Sequence, residues 1–182
     1  MKGIGSGRFL SFELDGNQYA VEVERVEVVL ETVPITRVPK APSYLKGVIN
    51  YRGAVIPVAD LRTRFREGLA AGSPGDGPAA PAQTAVQAGP EEGGGSIIVL
   101  HLRYSGDDIV IGVIADAVRE VVDLDPGRME KAPGIGGRGG EKLLAGIAEK
   151  DGSFIVILDM DEAFNMEDSF APSPSGRPEE RR

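Results

Sequence analysis

The chain has no cysteine and no tryptophan, and His101 is its only histidine. Without cysteine there is no disulfide framework, thiol nucleophile or Cys-ligated zinc. With one histidine, neither a His-His metal pair nor a Ser-His-Asp triad can be assembled within one chain. His101 itself, in "IIVLHLRY", reads as a packed core or edge histidine of an apolar strand. Aromatic residues are only 5% of the 182 residues, net charge is −8, and the single basic cluster is the "RPEERR" end. Nucleic-acid binders carry a basic stripe and stacking aromatics, so this balance opposes that class. No apolar run approaches the roughly 18 residues of a membrane span. The start, "MKGIGSGRFLSFELDG", has no continuous apolar core of a signal peptide. The expectation is a soluble, cytoplasmic protein without direct membrane insertion.

What is present is a normal share of apolar residues, 41%, and two stretches poor in them. Residues 67–95, "EGLAAGSPGDGPAAPAQTAVQAGPEEGGG", and the tail 167–182 are dominated by Gly, Pro, Ala, Ser and charge. They bury too little to offset ordering entropy, so both read as disordered. Between them the chain reads as short strands. "RFLSFELDGNQYAVEV" alternates Phe9, Ser11, Glu13 against Leu10, Phe12, Leu14, with "DGN" as a hairpin turn. "SIIVLHLRYSGDDIVIGVIA" repeats the design around "SGDD". "VERVEVVLE" and "ADAVREVVDL" fit either a strand or a short helical piece.

The chain also repeats itself. Tyr44–Phe65, "YLKGVINYRGAVIPVADLRTRF", aligns without a gap on Leu143–Phe164, "LLAGIAEKDGSFIVILDMDEAF". Gly47 meets Gly146, Gly53 meets Gly152, Asp60 meets Asp159, and Phe65 meets Phe164. Upstream, "YAVEVERVEVV" resembles "IGVIADAVREVV". This is an internal duplication interrupted by the insertion. Units of this size are marginal alone, so the halves are expected to pack together and leave a groove at their junction. The predicted organisation is one domain over 8–166. One subdomain spans about 17–66, the other about 96–166, the latter with the N-terminal strand 8–15 as a further candidate member.

Positions alike in both halves are needs of the fold. The glycine pairs read as a close approach and a positive-φ turn. Asp60 and Asp159 precede apolar i, i+4 pairs and read as helix N-caps, with Glu162 at the capping-box position after Asp159. Arg52 differs, because it meets Asp151. The turn is shared and the arginine is not, so Arg52 is either a solvated turn residue or a contact for a partner. "GIGGRG" at 134–139 matches a dinucleotide fingerprint formally, yet follows Ala132-Pro133 rather than a strand and reads as a loop. "DLD" and "DMD" lack calcium-loop spacing. No nucleophile, base and orienting group come together, so the reading is a binding module without catalytic residues, cofactor or metal.

The stretches "VERVEVV", "ITRVPKAPSYLKGVINYRGAVIPVADLRTRF", "IGVIADAVREVVDL" and "LLAGIAEKDGSFIVILDMDEAF" together resemble the CheW family of chemotaxis coupling proteins. The family more often has Leu where Tyr51 stands, and the insertion is longer than usual. The resemblance implies an all-β fold of two SH3-like, five-stranded barrels with short helices, and no catalysis. It implies an adaptor that bridges the cytoplasmic tip of chemoreceptors and the regulatory domain of the histidine kinase CheA, recruited to membrane-associated arrays. The receptor would dock as a helix between the barrels, and the kinase would use a barrel end. By matching position, Val26, Gly47, Asn50, Arg52, Gly53 and Val55 fall where partner contacts are expected, with Val118 and Gly146 as second-half candidates. The guanidinium of Arg52 is expected to fix its turn and offer fork-shaped hydrogen bonds. The competing reading for the valines is barrel core, and for the glycines backbone need. Rival functions are a coupling protein of a non-flagellar pathway, a small-barrel nucleic-acid module, and an enzyme.

Overall fold

The computed structural model describes residues 7–31, 33–70, 95–104, 106–125, 127, 129–130 and 143–165. Among the described residues, ten strands and two helices follow in chain order. They are β1 (Arg8–Leu14), β2 (Asn17–Glu22), β3 (Val26–Glu31), β4 (Leu45–Tyr51), β5 (Ala54–Ala59), α1 (Leu61–Ala70), β6 (Ser96–Tyr104), β7 (Asp107–Ala115), β8 (Ala117–Asp123), β9 (Leu144–Lys150), β10 (Ser153–Leu158) and α2 (Met160–Asn165). Val23–Arg25 form a 3-10 turn, so "VERVEVVLE" is helical only in its first residues. Helix α1 runs to Ala70, into the stretch expected to be disordered from 67, because no proline intervenes before Pro74 to stop it. Residues 71–94, the "GIGGRG" loop and the tail lie outside the described residues.

The strands form two five-stranded sheets, one in the order β8-β1-β2-β10-β9, the other β3-β6-β7-β5-β4. The ends of each sheet are brought together by one further bridge. Thr36, after β3, pairs with Val48 of β4, and Glu130, after β8, pairs with Ile147 of β9. Each sheet is thereby closed into a small barrel, as expected.

The division of the chain differs from the blocks 17–66 and 96–166. The first barrel combines hairpin β1–β2 with β8, β9 and β10, and the second combines hairpin β6–β7 with β3, β4 and β5. Each half of the duplication donates its hairpin to the barrel built on the other half. The joints are the two parallel pairs, β10 with β2 and β5 with β7. The duplicated register survives the exchange. Val26 pairs with Leu100 as Val118 pairs with Phe12, and each pairing is followed by a bulge. Every strand alternates inward and outward side chains, so a shared hydrophobic pattern cannot reveal which half its hairpin pairs with.

The exchange explains where the core sits. Phe9, Ala20, Val122, Ile155 and Ile157 fill the first barrel, and Ile49, Ile56, Val58, Ile97 and Val99 fill the second. The outward faces of the hairpins meet between the barrels, where Leu10, Phe12, Leu14, Ile98, Leu100, Leu102, Leu61, Met160 and Phe164 form one continuous core. The junction is packed. The two depressions described below lie elsewhere, and the expected groove between the halves is not one of them.

The helices meet at this seam. Asp60 accepts the Arg62 N–H at 2.9 Å and Asp159 accepts the Glu162 N–H at 3.1 Å, so both are N-caps as the sequence indicated. The backbone N–H of Asp159 donates to the Leu143 carbonyl at 3.0 Å, which leaves no reciprocal capping box with Glu162. Arg64, only 7% exposed, donates from Nε to the Ala163 carbonyl at 3.0 Å, and its guanidinium lies 4.9 Å from the Tyr44 ring centroid. Arg64 and Ala163 occupy equivalent positions of the two halves, so the pseudo-twofold relation passes between a large residue and a small one. Two arginines would collide there and two alanines would leave a void.

Candidate functional site

Residues that share a hairpin are brought together first. Tyr51 pairs with Ala54, which leaves Arg52 and Gly53 as a two-residue turn. Both have positive φ, 50° and 85°, the signature of a type I′ turn. Asp15-Gly16 and Asp151-Gly152 make the same turn, with φ of 49° and 76°, and 53° and 77°. The first position of this turn favours Asn, Asp or Gly, so Arg52 is the residue out of place. The turn is held by Asn50, whose Oδ1 accepts the Gly53 N–H at 3.1 Å. The expected role of the guanidinium in fixing the turn is therefore taken by Asn50. Arg52 instead lies over the Tyr51 ring, 5.1 Å from its centroid. It is exposed, and among the described residues it has no carboxylate partner. Among the described residues no acceptor takes up its five donors.

Val55 stands opposite Asn50 and is 69% exposed. Asn50, Arg52, Gly53 and Val55 thus form one outward cluster at the end of the β4–β5 hairpin. The other predicted residues are not part of it. Gly47 is on β4 with φ of 153°, and a Cβ there would fall on the Thr36 carbonyl. Gly146 stands at the equivalent crossing, where a Cβ would meet the Glu130 carbonyl at 3.2 Å. Both glycines admit the strand that closes the barrel, and this backbone requirement is sufficient to account for them. Val26 and Val118 are half-buried against the inter-barrel core, on β3 and β8 respectively.

Sequence reasoning missed the more exposed neighbours. Val29 and Val121 occupy equivalent places on β3 and β8, and both reach solvent. Phe154, 68% exposed, is the duplicate of Val55. The gapless alignment of the halves contained that signal, since it sets Phe154 directly against Val55. His101 is at the surface rather than in the core, with Nε2 3.1 Å from Glu27.

Ion pairs tie the helices across the seam. Arg25 donates to both oxygens of Asp161 at 2.7 and 2.9 Å and to Glu22 at 2.9 Å. The hydrogen bonds to Asp161 raise its basicity further above the ordinary arginine range, against an opposing effect of burial. Arg62 reaches Asp60 and Asp116 at 3.0 and 3.1 Å and is shifted the same way, chiefly by Asp60.

Two depressions are formed by described residues. One, of about 510 Å³, opens at the mouth of the first barrel between Ser11, Glu13, Val118, Arg119, Glu120 and Lys150. Four of its charges are paired, Arg119 with Glu13 at 2.6 Å and Lys150 with Glu120 at 2.8 Å, while Asp151 also lines it. The second, of about 400 Å³, lies beside Phe154 and is rimmed by Glu130, Glu149 and Asp151, with Ile147 at its floor. Neither joins a nucleophile to a base. Among the described residues no His, Cys, Asp and Glu side chains gather in a set able to hold a metal ion. Among them, too, no helix is long and apolar enough to cross a membrane.

The CheW-like domain family matches residues 8–168. The chain belongs to that family. Among its CheW relatives, the chemotaxis protein CheW of Thermotoga maritima is 29% identical over 84% of this chain and 84% of its own length. The probable chemotaxis protein CheW of Rhizobium etli is 26% identical over 92% and 93%. The crystal structure of the scaffolding protein CheW from Thermoanaerobacter tengcongensis superimposes with a TM-score of 0.64 at 28% identity, covering 87% of each chain. The CheW-like fold is therefore shared well beyond the hairpin motif that suggested it.

Proposed function

We propose that this chain is a non-catalytic adaptor of a chemotaxis signalling complex, bridging the cytoplasmic helical tip of chemoreceptors and the regulatory domain of a CheA-type histidine kinase. Its place is beside the membrane, recruited through the receptors. Family membership and the names of its relatives support the pathway. One observation carries the role of the site: Arg52 occupies a turn that the fold builds equally well with Asp151, and its guanidinium has no carboxylate partner among the described residues. A residue poorly suited to its backbone conformation, with free donors beside the exposed Val55, is placed for a contact rather than for the fold. Asn50 and Gly53 hold the turn, while Val26 and Val118 border the seam on which an apolar helix would rest.

The test is a calorimetric titration against the regulatory domain of the CheA-type kinase from the same genome, followed by a receptor-tip fragment, with Arg52→Asp in parallel. Saturable binding by the wild type, weakened tenfold or more in the variant for one of the two partners, is expected. Absence of binding to both partners would overturn the adaptor reading. Equal binding by the variant to both would remove Arg52 from the site.

A further inference from the structure

The halves of the chain are not its two barrels. The first half runs from β1 to α1 and the second from β6 to α2. Inside each half the described strands form only hairpins and one closing bridge. These are β1–β2, β4–β5 and Thr36 with Val48 in the first half, and β6–β7, β9–β10 and Glu130 with Ile147 in the second. The remaining strand pairings cross between halves: β1 with β8 and β2 with β10 in one barrel, β3 with β6 and β5 with β7 in the other. Neither barrel is complete until the halves meet.

Side chains cross in the same way. The Ser11 hydroxyl donates to the Glu120 carbonyl at 2.8 Å, Arg25 donates to both oxygens of Asp161, Arg62 reaches Asp116, and Arg64 reaches the Ala163 carbonyl. These ties fix which half accepts which. By the repeat, Arg62 is the counterpart of Asp161, and Ala117 of Arg25. Two first halves would set Arg25 against Arg62 and Arg64 against its own copy. Two second halves would leave the buried Asp161 facing Ala117. A first half therefore selects a second half. None of these contacts requires both halves to belong to one chain. The halves are joined through residues 71–95 alone, a stretch rich in Gly, Ala and Pro.

We infer that two copies of this chain exchange halves, the first half of each completing both barrels with the second half of the other. Continuity with the interface that the chain makes with itself selects this occupant. Every strand pairing and ion pair between halves recurs twice in the closed two-chain form, so the connection, and no new contact, sets the balance between the forms. A tether of this length holds its own partner half at an effective concentration in the millimolar range. The monomer therefore prevails in dilute solution, and exchange sets in as the chain concentration approaches that range. Reversal requires the halves to separate, so the two-chain form outlasts dilution. It carries every outer surface in duplicate on one particle. The inference does not depend on the coupling reading; where that reading holds, the exchanged form ties two adaptors together.

Refolding of the full chain tests it. Wild type diluted from urea at near-millimolar concentration is expected to give a two-chain species in sedimentation velocity, absent after refolding at low micromolar concentration. That species should persist on dilution into native buffer and return to monomer after a second passage through urea in dilute solution. Paired charge variants make the exchange selective. Arg25→Asp alone sets two carboxylates together at the seam, and Asp161→Arg alone sets two guanidinium groups there. Refolded together, the two variants match both charge pairs only by exchanging halves. The mixture is expected to form mixed dimers at a concentration at least about tenfold below that needed by wild type, with a urea midpoint above either variant alone. A wild type that refolds only as monomer at the higher concentration, a two-chain species that dissociates on native dilution, or a mixture that behaves as the sum of its parts would each overturn the proposal.

Discussion

Replacing Arg52 by aspartate imitates the equivalent turn of the other half and should leave the fold standing. Arg52 has φ of 50°. An L residue in the left-handed region costs roughly 1–2 kcal/mol, and Asp or Asn recover part of this through local hydrogen bonding. The variant loses the stack on Tyr51, an exposed cation–π contact worth about 0.5–1 kcal/mol. The two effects oppose each other, so the net change is expected to stay within about 1 kcal/mol of zero. Asp15 and Asp151 already occupy the same conformation in two other hairpins. Equilibrium urea unfolding reads the outcome. With a slope of about 1–3 kcal/mol per molar, the midpoint should move by about 1 M or less. Arg52→Val serves as the contrast, because a β-branched residue is worse still in this conformation and should fall below both. A loss of more than about 2 kcal/mol in Arg52→Asp, or no difference between the Asp and Val variants, would refute the account of the turn.

Other consequences follow from the exchange and the seam. If a protease site placed within 71–94 is cut after folding, the two fragments should co-elute, because each barrel contains strands from both; separation without denaturant would contradict the composite sheets. Arg64→Ala should destabilise by about 2–4 kcal/mol, from a charge-assisted hydrogen bond, a buried cation–π contact and lost packing, offset in part by relief of a buried charge. Adding Ala163→Arg should then recover some of that loss, and urea unfolding of the single and double variants measures the coupling. The Tyr19 hydroxyl has its pKa raised by burial, with Asp15 adding to it. Its contribution is fully present below its ordinary titration and is lost as pH rises through the higher folded value. Stability should therefore fall above about pH 10, and less steeply in Tyr19→Phe, as urea midpoints across that range would show.

Much of this was legible before any coordinates. The hairpin turns, the two N-caps, the glycine pairs and the equivalence of β4–β5 with β9–β10 all follow from short-range rules and from the repeat itself. The hairpin exchange was not legible. Two duplicated strands present nearly the same pattern to either neighbour, and only the three-dimensional path of the chain between β2 and β3, and between β7 and β8, decides which barrel is completed. The role of Gly47 was read in part. A close approach could be foreseen, but its partner, the Thr36 carbonyl, belongs to a segment with no regular pattern of its own. Phe154 was overlooked for a different reason. An aromatic residue on an alternating strand is ordinarily inward, and its register places it outward beside Glu149.

The repeat also separates what the fold needs from what it leaves free. Where the halves agree, as at Gly47 and Gly146 or Asp60 and Asp159, a backbone requirement explains the residue. Where they differ, the differences are of two kinds. Some compensate one another inside the molecule. Arg64 fills the space beside Ala163, and His101 with Glu27 stands where Glu13 with Arg119 stands in the other barrel. The rest have no matching partner among the described residues. Arg52 opposes no carboxylate there, Asp151 stands at the same place with the other sign and beside Lys150, and Val55 and Phe154 both remain in water. A difference balanced internally serves stability, and substitution there should register in unfolding. A difference left unbalanced at the surface is silent in unfolding, and it registers only when another molecule is present.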